Sequence, residues 1–319
     1  MKSQLNKNIY SFKYPDSVNV GDEIQTLAAI HALKLLGLSI SGYLDRDHPT
    51  LGNIECILII NGWFSISQET FPLDENITPV FSNIHISSTS LTQNKLLTKE
   101  AIAYLKNNSP IGCRDRNTEK ILNSLGIDTY FNYCLTLTFN RRKKEYAVSA
   151  DTIFIVDLDT FVPLPKELKN QKIEYAKHIL PAKLSHDIKM NIAEGFLEMY
   201  RTRAKLVVTS RLHCALPCIA MGIPVVVLGD QNDKRLQLVE EFIPIHPYFS
   251  LDMRGEISQM DKPLWKRFLL LTYGLFKFIF YRVRYFFYYR NIAWPTTAIN
   301  VEATKERILT NMKEALERL

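Results

Sequence analysis

The run "ECILIING", Glu55 to Gly62, constrains the fold of this chain more than any other stretch. Its apolar residues are continuous rather than alternating, which marks a strand covered on both faces, as in a parallel sheet flanked by helices. The chain around it alternates in the same sense. Ile9–Tyr14 reads as a strand, and "DSVNVGDEIQTLAAIHALKLLG" as a loop feeding a helix that stops at Gly37. In that helix Ile24, Leu27, Ala28, Ile30, Leu33 and Leu35 follow roughly the helical period. "TPVFSNIHIS" and "PIGCR" read as strands, and "TKEAIAYLKNNS" and "RNTEKILNSLGI" as helices, with "DTYFNYCLTLTF" closing the region.

A basic break, "NRRKKEY" (Asn140 to Tyr146), is the best candidate boundary, and beyond it the alternation restarts. "DTIFIVDLD", "KLVVTS" and "IPVVVLG" read as strands. "DIKMNIAEGFLEMYRTRA", with Ile188, Ile192, Phe196 and Met199 near one face, reads as a helix, as do "HCALPCIAMG" and "NDKRLQLVEEF". Repeated strand–helix–strand order implies parallel sheets with right-handed crossovers, hence two Rossmann-like, doubly wound α/β domains facing a cleft. The expected division is residues 1–143, 144–262, and a basic aromatic helical segment with a C-terminal helix at 263–319. Ligands in such folds sit beyond the carboxyl ends of the strands.

A length of 319 residues suits two domains, and 46% hydrophobic content is that of a folded globular protein. The net charge of +6 is modest, and no nucleic-acid reading module accompanies it, so no nucleic-acid partner is expected. The five cysteines form no CxxC pair and the first residues have no apolar signal core, which predicts a reducing, cytoplasmic setting. Cys214 and Cys218 stand four apart beside His213, but buried helix packing explains them better than a metal.

In "VVTSRLHCALPCIAMGIPVVVLG", Arg211, Leu212 and His213 lie where a buried strand hands over to a helix. Unpaired backbone N–H groups and the helix dipole make such a turn attractive to anions. Arg211 adds a planar cationic fork, and His213 a group that titrates near neutral pH. Two readings stand on these residues alone. One is an anion site with a proton-transfer group; in the other, Arg211 makes a buried salt bridge and His213 caps its own helix.

The same stretch resembles the C-terminal motif of the polysaccharide pyruvyl transferase family. "NVGDEIQTLAAIHAL" resembles the family's glycine–aspartate loop and first helix, "IGCRDRNTEKILNSLGI" with "CLTLTF" its central Arg-Asp segment and the strand after it, and "DKRLQLVEEF" the segment following the histidine motif. The resemblance implies a two-domain, glycosyltransferase-B-like fold with the acceptor on the first domain and the donor on the second. It also implies transfer of pyruvate from phosphoenolpyruvate to a sugar diol, as a cyclic ketal, with release of phosphate. It assigns Arg211 and Arg114 to the donor anions, His213 to proton transfer, and the backbone amide of Leu212 to the donor. Phosphoenolpyruvate carries a phosphate and a carboxylate, so two arginines can each clamp one anion. Protonation of the methylene carbon by a histidine would open C2 to a hydroxyl, and the scheme requires neither metal nor cofactor.

Asn19, Gly21 and Asp22 form a loop between strand and helix. Asn19 and Gly21 are candidate substrate contacts, and Asp22 either accepts a proton from the acceptor or caps the helix. Where many relatives carry a glycine run, "IINGWFS" keeps only Gly62, with Trp63 beside it either stacking on a sugar or packed in the core. His31, His85 and His186 are expected to be structural.

From Lys262 to Val301 there is no acidic residue, and aromatics such as Trp265, Tyr285 and Trp294 interleave with Lys266, Lys277 and Arg284. No uncharged run reaches the roughly 18–20 residues that span a bilayer. The pattern fits either a helix lying on an anionic membrane surface or one packed across the domains. The expected protein is therefore cytoplasmic and peripheral at the inner face of the membrane, with phosphoenolpyruvate and a glycan or lipid-linked sugar as partners. The alternatives are a nucleotide-sugar glycosyltransferase of the same fold and a non-catalytic scaffold of polysaccharide assembly.

Overall fold

The computed structural model of the chain describes residues 8–64, 71–86, 98–158, 162, 164–168, 170–181, 183–230, 232–248, 279, 283, 287–289 and 292–319. The described strands form two all-parallel sheets. The first contains β1 (Asn8–Lys13), β2 (Gly42–Asp45), β3 (Cys56–Trp63), β4 (Ile77–His85), β5 (Ile111–Cys113) and β6 (Thr129–Phe131), in the order β2-β1-β3-β4-β5-β6. The second contains β7 (Thr152–Val156), β8 (Lys172–Ala176), β9 (Ala204–Thr209), β10 (Val225–Gly229) and β11 (Ile245–Pro247), in the order β11-β10-β9-β7-β8. The continuous apolar runs became central strands: β3 is buried from Cys56 to Gly62, and β7 and β10 throughout.

Between the strands run α1 (Val20–Leu35), α2 (Lys99–Asn107), α3 (Arg116–Ser124), α4 (Lys144–Ser149), α5 (His186–Arg203), α6 (Leu212–Ala220) and α7 (Gln237–Glu240), and the chain ends in α8 (Glu302–Glu317). One large apolar cluster serves both sheets. It joins Ile24, Ala28 and Leu33 of α1, Met190 and Leu197 of α5, the interior of α6, and strand residues from Ile57 to Val227. Cys214 and Cys218 lie inside it as buried thiols. The last helix returns to the first sheet. Ile308, Met312 and Leu316 join the shared core, and Asn311 Nδ2 donates to Asn132 Oδ1 at 2.8 Å.

The structure corrects several expectations. In "DTYFNYCLTLTF" only Thr129–Phe131 is a strand, while Leu135–Thr138 is a buried 3-10 turn. Its threonine hydroxyls find local partners there, Cys134 Sγ for Thr136 and the Leu135 carbonyl for Thr138, an option a strand does not offer. On α5 the buried stripe is Lys189, Met190, Ala193, Leu197 and Tyr200, and Ile188 is exposed. "NDKRLQLVEEF" holds only the short helix Gln237–Glu240. The edge strands β2, β8 and β11 carry no apolar run that marks them in the sequence, being short and mostly half-exposed. Lys266, Lys277, Arg284 and Trp265 lie outside the described residues.

One buried carboxylate in α1 is unpaired. Glu23 is fully buried, and neither side-chain oxygen makes a hydrogen bond among the described residues. Burial pushes its carboxyl up to about 7, with Asp22 adding to the rise and Lys189 opposing it. The folded state therefore holds this proton more tightly than the unfolded chain. Stability falls as pH rises from about 4.5 to about 7 and levels off above. Glu23→Gln is expected to raise the unfolding free energy at pH 8 by up to about 3 kcal/mol, with the gain vanishing near pH 4.5; chemical denaturation at both pH values measures it.

Candidate active site

The carboxyl ends of both sheets open on one cleft of about 290 Å³, the small end of the range for ligand sites. On the first sheet Trp63 ends β3 and pairs in register with His85 at the end of β4, and Arg114 follows the last residue of β5. On the second, Asp157 follows β7 and Ser210–Arg211 follow β9, in register through Val156 and Thr209. All seven residues singled out from the sequence line this cleft: Asn19, Gly21, Asp22, Arg114, Arg211, Leu212 and His213.

The Arg-Leu-His turn is built by α6. Its N–H groups at Cys214 and Ala215 bond the Arg211 carbonyl at 3.2 and 3.0 Å, and those of Leu212 and His213 carry no bond among the described residues. These two orphan donors sit at the positive end of the helix. Pro217 lies inside the helix and cannot donate to the His213 carbonyl four residues back. His213 accordingly departs from helical geometry, with φ −84° and ψ 15°. The ring then meets the other half of the molecule, where Nε2 lies 3.4 Å from Arg114 NH1. Gly21 makes room for it, because a Cβ there would come within 3.1 Å of His213 Cβ and Nδ1. The close approach that Gly21 permits is thus to His213 of the second half.

Three arginines face the cleft with different partners. Arg211 makes a salt bridge, Nε to Asp157 Oδ2 at 3.0 Å, but a half-exposed one rather than the buried one of the second reading, and the outer nitrogens of its fork have no partner among the described residues. The same carboxylate accepts the His178 backbone N–H at 3.1 Å. Arg235 is bound by both oxygens of Asp233, at 3.1 and 2.7 Å. Arg114 is buried and, among the described residues, hydrogen-bonds only neutral groups, Gln25 Oε1 at 3.3 Å and His213. Gln25 reaches it by crossing Gly62, whose φ of +86° and missing Cβ leave the space that "IINGWFS" keeps open.

Burial lowers the His213 pKa well below the usual imidazole range, and Arg114, His85, His178 and Arg235 push it further down. The ring is neutral at pH 7. Asp22 neither caps the helix nor stands free. The cap is Asn19, whose Oδ1 accepts the Gly21 N–H at 3.2 Å, and Asp22 accepts from Ser17 Oγ at 2.5 Å and Gln25 Nε2 at 3.3 Å. Burial raises its carboxyl pKa. Trp63 is 39% exposed at the rim rather than packed in the core.

The loop carrying Asn19–Asp22 is fixed by the second half of the chain. Lys189 of α5, 1% exposed, donates its three ammonium hydrogens to the carbonyls of Tyr14, Pro15 and Ser17 at 2.9, 2.6 and 2.6 Å. Beside it Val20 N–H donates to the His178 carbonyl at 3.2 Å and Leu180 N–H bonds the Val18 carbonyl. Such a charge at the heart of a helix face gives no periodic signal.

The family model for polysaccharide pyruvyl transferase matches residues 19–232, more than half of the chain and every cleft residue up to Arg211–His213. The chain belongs to that family. A search of curated proteins gives no match. A solved structure of an uncharacterized protein from Klebsiella pneumoniae subsp. pneumoniae NTUH-K2044 is similar at 15% identity and a TM-score of 0.45, over 75% of this chain and 89% of that one.

The pyruvyl transferase family match covers Asp157, His178 and His85, which reading from the sequence did not place in the site. His85, expected to be structural, is buried at the carboxyl end of β4 and lines the cleft, a position where polar residues open on ligand sites. His31, against Phe139, and His186, against Tyr43, lie away from it. For His213 the expected imidazole midpoint by NMR titration is below 6.5, and Arg114→Met, by removing the nearest cation, is expected to move it upward.

Proposed function

We propose that this member of the family transfers pyruvate from phosphoenolpyruvate to a sugar diol of a cell-surface polysaccharide or its lipid-linked precursor, releasing phosphate. The observation that carries the proposal is the meeting of Arg114 with His213 at 3.4 Å, beside two unused helix N–H groups. A phosphorylated, carboxylated donor supplies the anions that this cationic corner lacks. In the proposal Arg114 and the outer fork of Arg211 hold the two anionic groups, and the Leu212 amide donates to one of them. The donor's charge raises the His213 pKa, so the ring gains a proton as the donor binds and gives it to the methylene carbon. Asn19, Gly21 and Asp22 form the acceptor side, with Asp22 held by Ser17 and Gln25 and facing the incoming diol. No metal or cofactor enters the scheme.

The two sheets support a glycosyltransferase-B-like arrangement divided near residues 143 and 262, with acceptor and donor on opposite halves. The segment from Lys262 to Val301 is proposed to lie on an anionic membrane surface at the cytoplasmic face. Among its described residues Ile279, Val283 and Phe287, four apart, are exposed, which suits an interfacial helix. No helix of the described residues is long and apolar enough to cross a membrane.

Two experiments test these proposals. With phosphoenolpyruvate and a glycan diol, phosphate release is expected from the wild type. Arg114→Ala or Arg211→Ala should weaken donor binding by about 1.5–3 kcal/mol, and His213→Ala should lower turnover about 10²–10⁴-fold; isothermal calorimetry and a phosphate assay read both. Unaltered donor affinity in both arginine variants would remove the anion assignment. In vesicle flotation, charge reversal at Lys266, Lys277 and Arg284 together should release the protein from anionic lipid while activity on a short acceptor persists.

A further inference from the structure

Among the cleft histidines, His85 has the hydrogen bonding of a proton-transfer group. Its Nδ1 lies 2.6 Å from Asp115 Oδ2, and both side chains are almost wholly buried. Asp115 is fixed in turn, because its Oδ1 accepts the Thr118 backbone N–H at 2.9 Å and the Thr118 hydroxyl at 3.1 Å. A carboxylate so placed keeps the imidazole proton on Nδ1 and leaves the lone pair on Nε2. Nε2 is buried and has no hydrogen-bond partner among the described residues, yet His85 lines the same cleft as His213 and Arg114. A buried ring nitrogen without a partner is costly unless a ligand supplies one.

We propose that His85 Nε2 is the base that takes the proton of the acceptor hydroxyl attacking the donor carbon, with Asp115 as its positioning residue. The assignment rests on the pyruvyl-transfer reading. Attack concerted with protonation needs an acid and a base at the same moment, and one imidazole supplies only one of them. Protonated His213 gives its proton to C3 of phosphoenolpyruvate. The first hydroxyl oxygen bonds to C2, and its proton passes to His85 Nε2. The C2–O bond to phosphate then breaks with its electron pair on the phosphate, which takes the proton from His85. The second hydroxyl closes on C2 and returns a proton to His213. Both rings end as they began, and the products are the ketal and inorganic phosphate.

The charged and titratable groups bearing on His85 are Asp115 and Arg114 after β5 and Arg235 from the loop before α7. Burial, then Arg114, keeps its pKa low, so the ring is neutral and ready to accept at pH 7.

Asp115→Asn is the sharpest test. Asn still caps α3 and still accepts from Thr118, but its amide donates to His85 Nδ1 and forces the ring proton onto Nε2. With phosphoenolpyruvate and a glycan diol, Asp115→Asn and His85→Gln are each expected to lower kcat by about 10²–10⁴-fold, with donor Kd within about twofold of wild type. Nitrogen-15 NMR, read without substrate, is expected to show a protonated Nδ1 and bare Nε2 in wild type and the reverse in Asp115→Asn. An active wild type with His85→Gln turning over normally overturns the proposal, as does a wild-type ring protonated at Nε2. A wild type with the expected tautomer that binds no phosphoenolpyruvate and releases no phosphate overturns the pyruvyl-transfer reading instead, and the assignment of His85 to that reaction with it.

Discussion

The ammonium of Lys189 inserts between the two halves of the chain and donates to three carbonyls of the turn 14–17. A charge buried this deeply is tolerated only when every hydrogen it carries is used, and here all three are. The turn leads directly to Asn19, Gly21 and Asp22, so the loop of the first half takes its position from a helix of the second. Asn19 pairs with Ile179 in an antiparallel bridge at the same junction. With the loop fixed, Gly21 meets His213 and Gln25 meets Arg114. The first of these contacts crosses between the halves with little slack, since a Cβ at Gly21 would lie 3.1 Å from His213, and the second ties α1 to the end of β5.

Charge in the cleft is distributed unevenly. Arg211 and Arg235 each have a carboxylate beside them, whereas Arg114 has an amide and an imidazole. Asp22 and Asp115 act on Arg114 without hydrogen-bonding it, so at the Arg114–His213 corner the cation has no carboxylate bonded to it among the described residues. The same corner depresses the His213 pKa. An anion bound there would favour protonation of His213, and by linkage protonation would favour the anion.

Much of the fold was legible in the chain. Continuous apolar runs gave β3, β7 and β10, and the period of α1 and its stop at Gly37, with φ +76°, needed no tertiary information. The buried face of α5 was misread because its sequence offers two apolar stripes. The one with larger side chains, from Ile188 to Met199, lost to the stripe carrying Lys189 and Tyr200. The hydrogen-bonding partners of those two, carbonyls at 14–17 and His178 Nε2, belong to other parts of the chain.

For the site, sequence by itself determined which residues stand at strand ends and helix starts, because strand length and the positions of Gly21 and Pro217 are local matters. It thereby supplied Arg211 and His213 as candidates, and the family resemblance added Arg114. Only the tertiary structure decided that these three face one another, that Asp157 holds one arginine while Arg114 hydrogen-bonds an amide and an imidazole, and that His85 is held by Asp115. His85 ends β4 and Asp115 caps the helix after β5, while Arg114 follows a strand of the first sheet and His213 sits in the helix after a strand of the second. Their distances follow from crossover geometry and a shared core, to which no local pattern in the chain gives access.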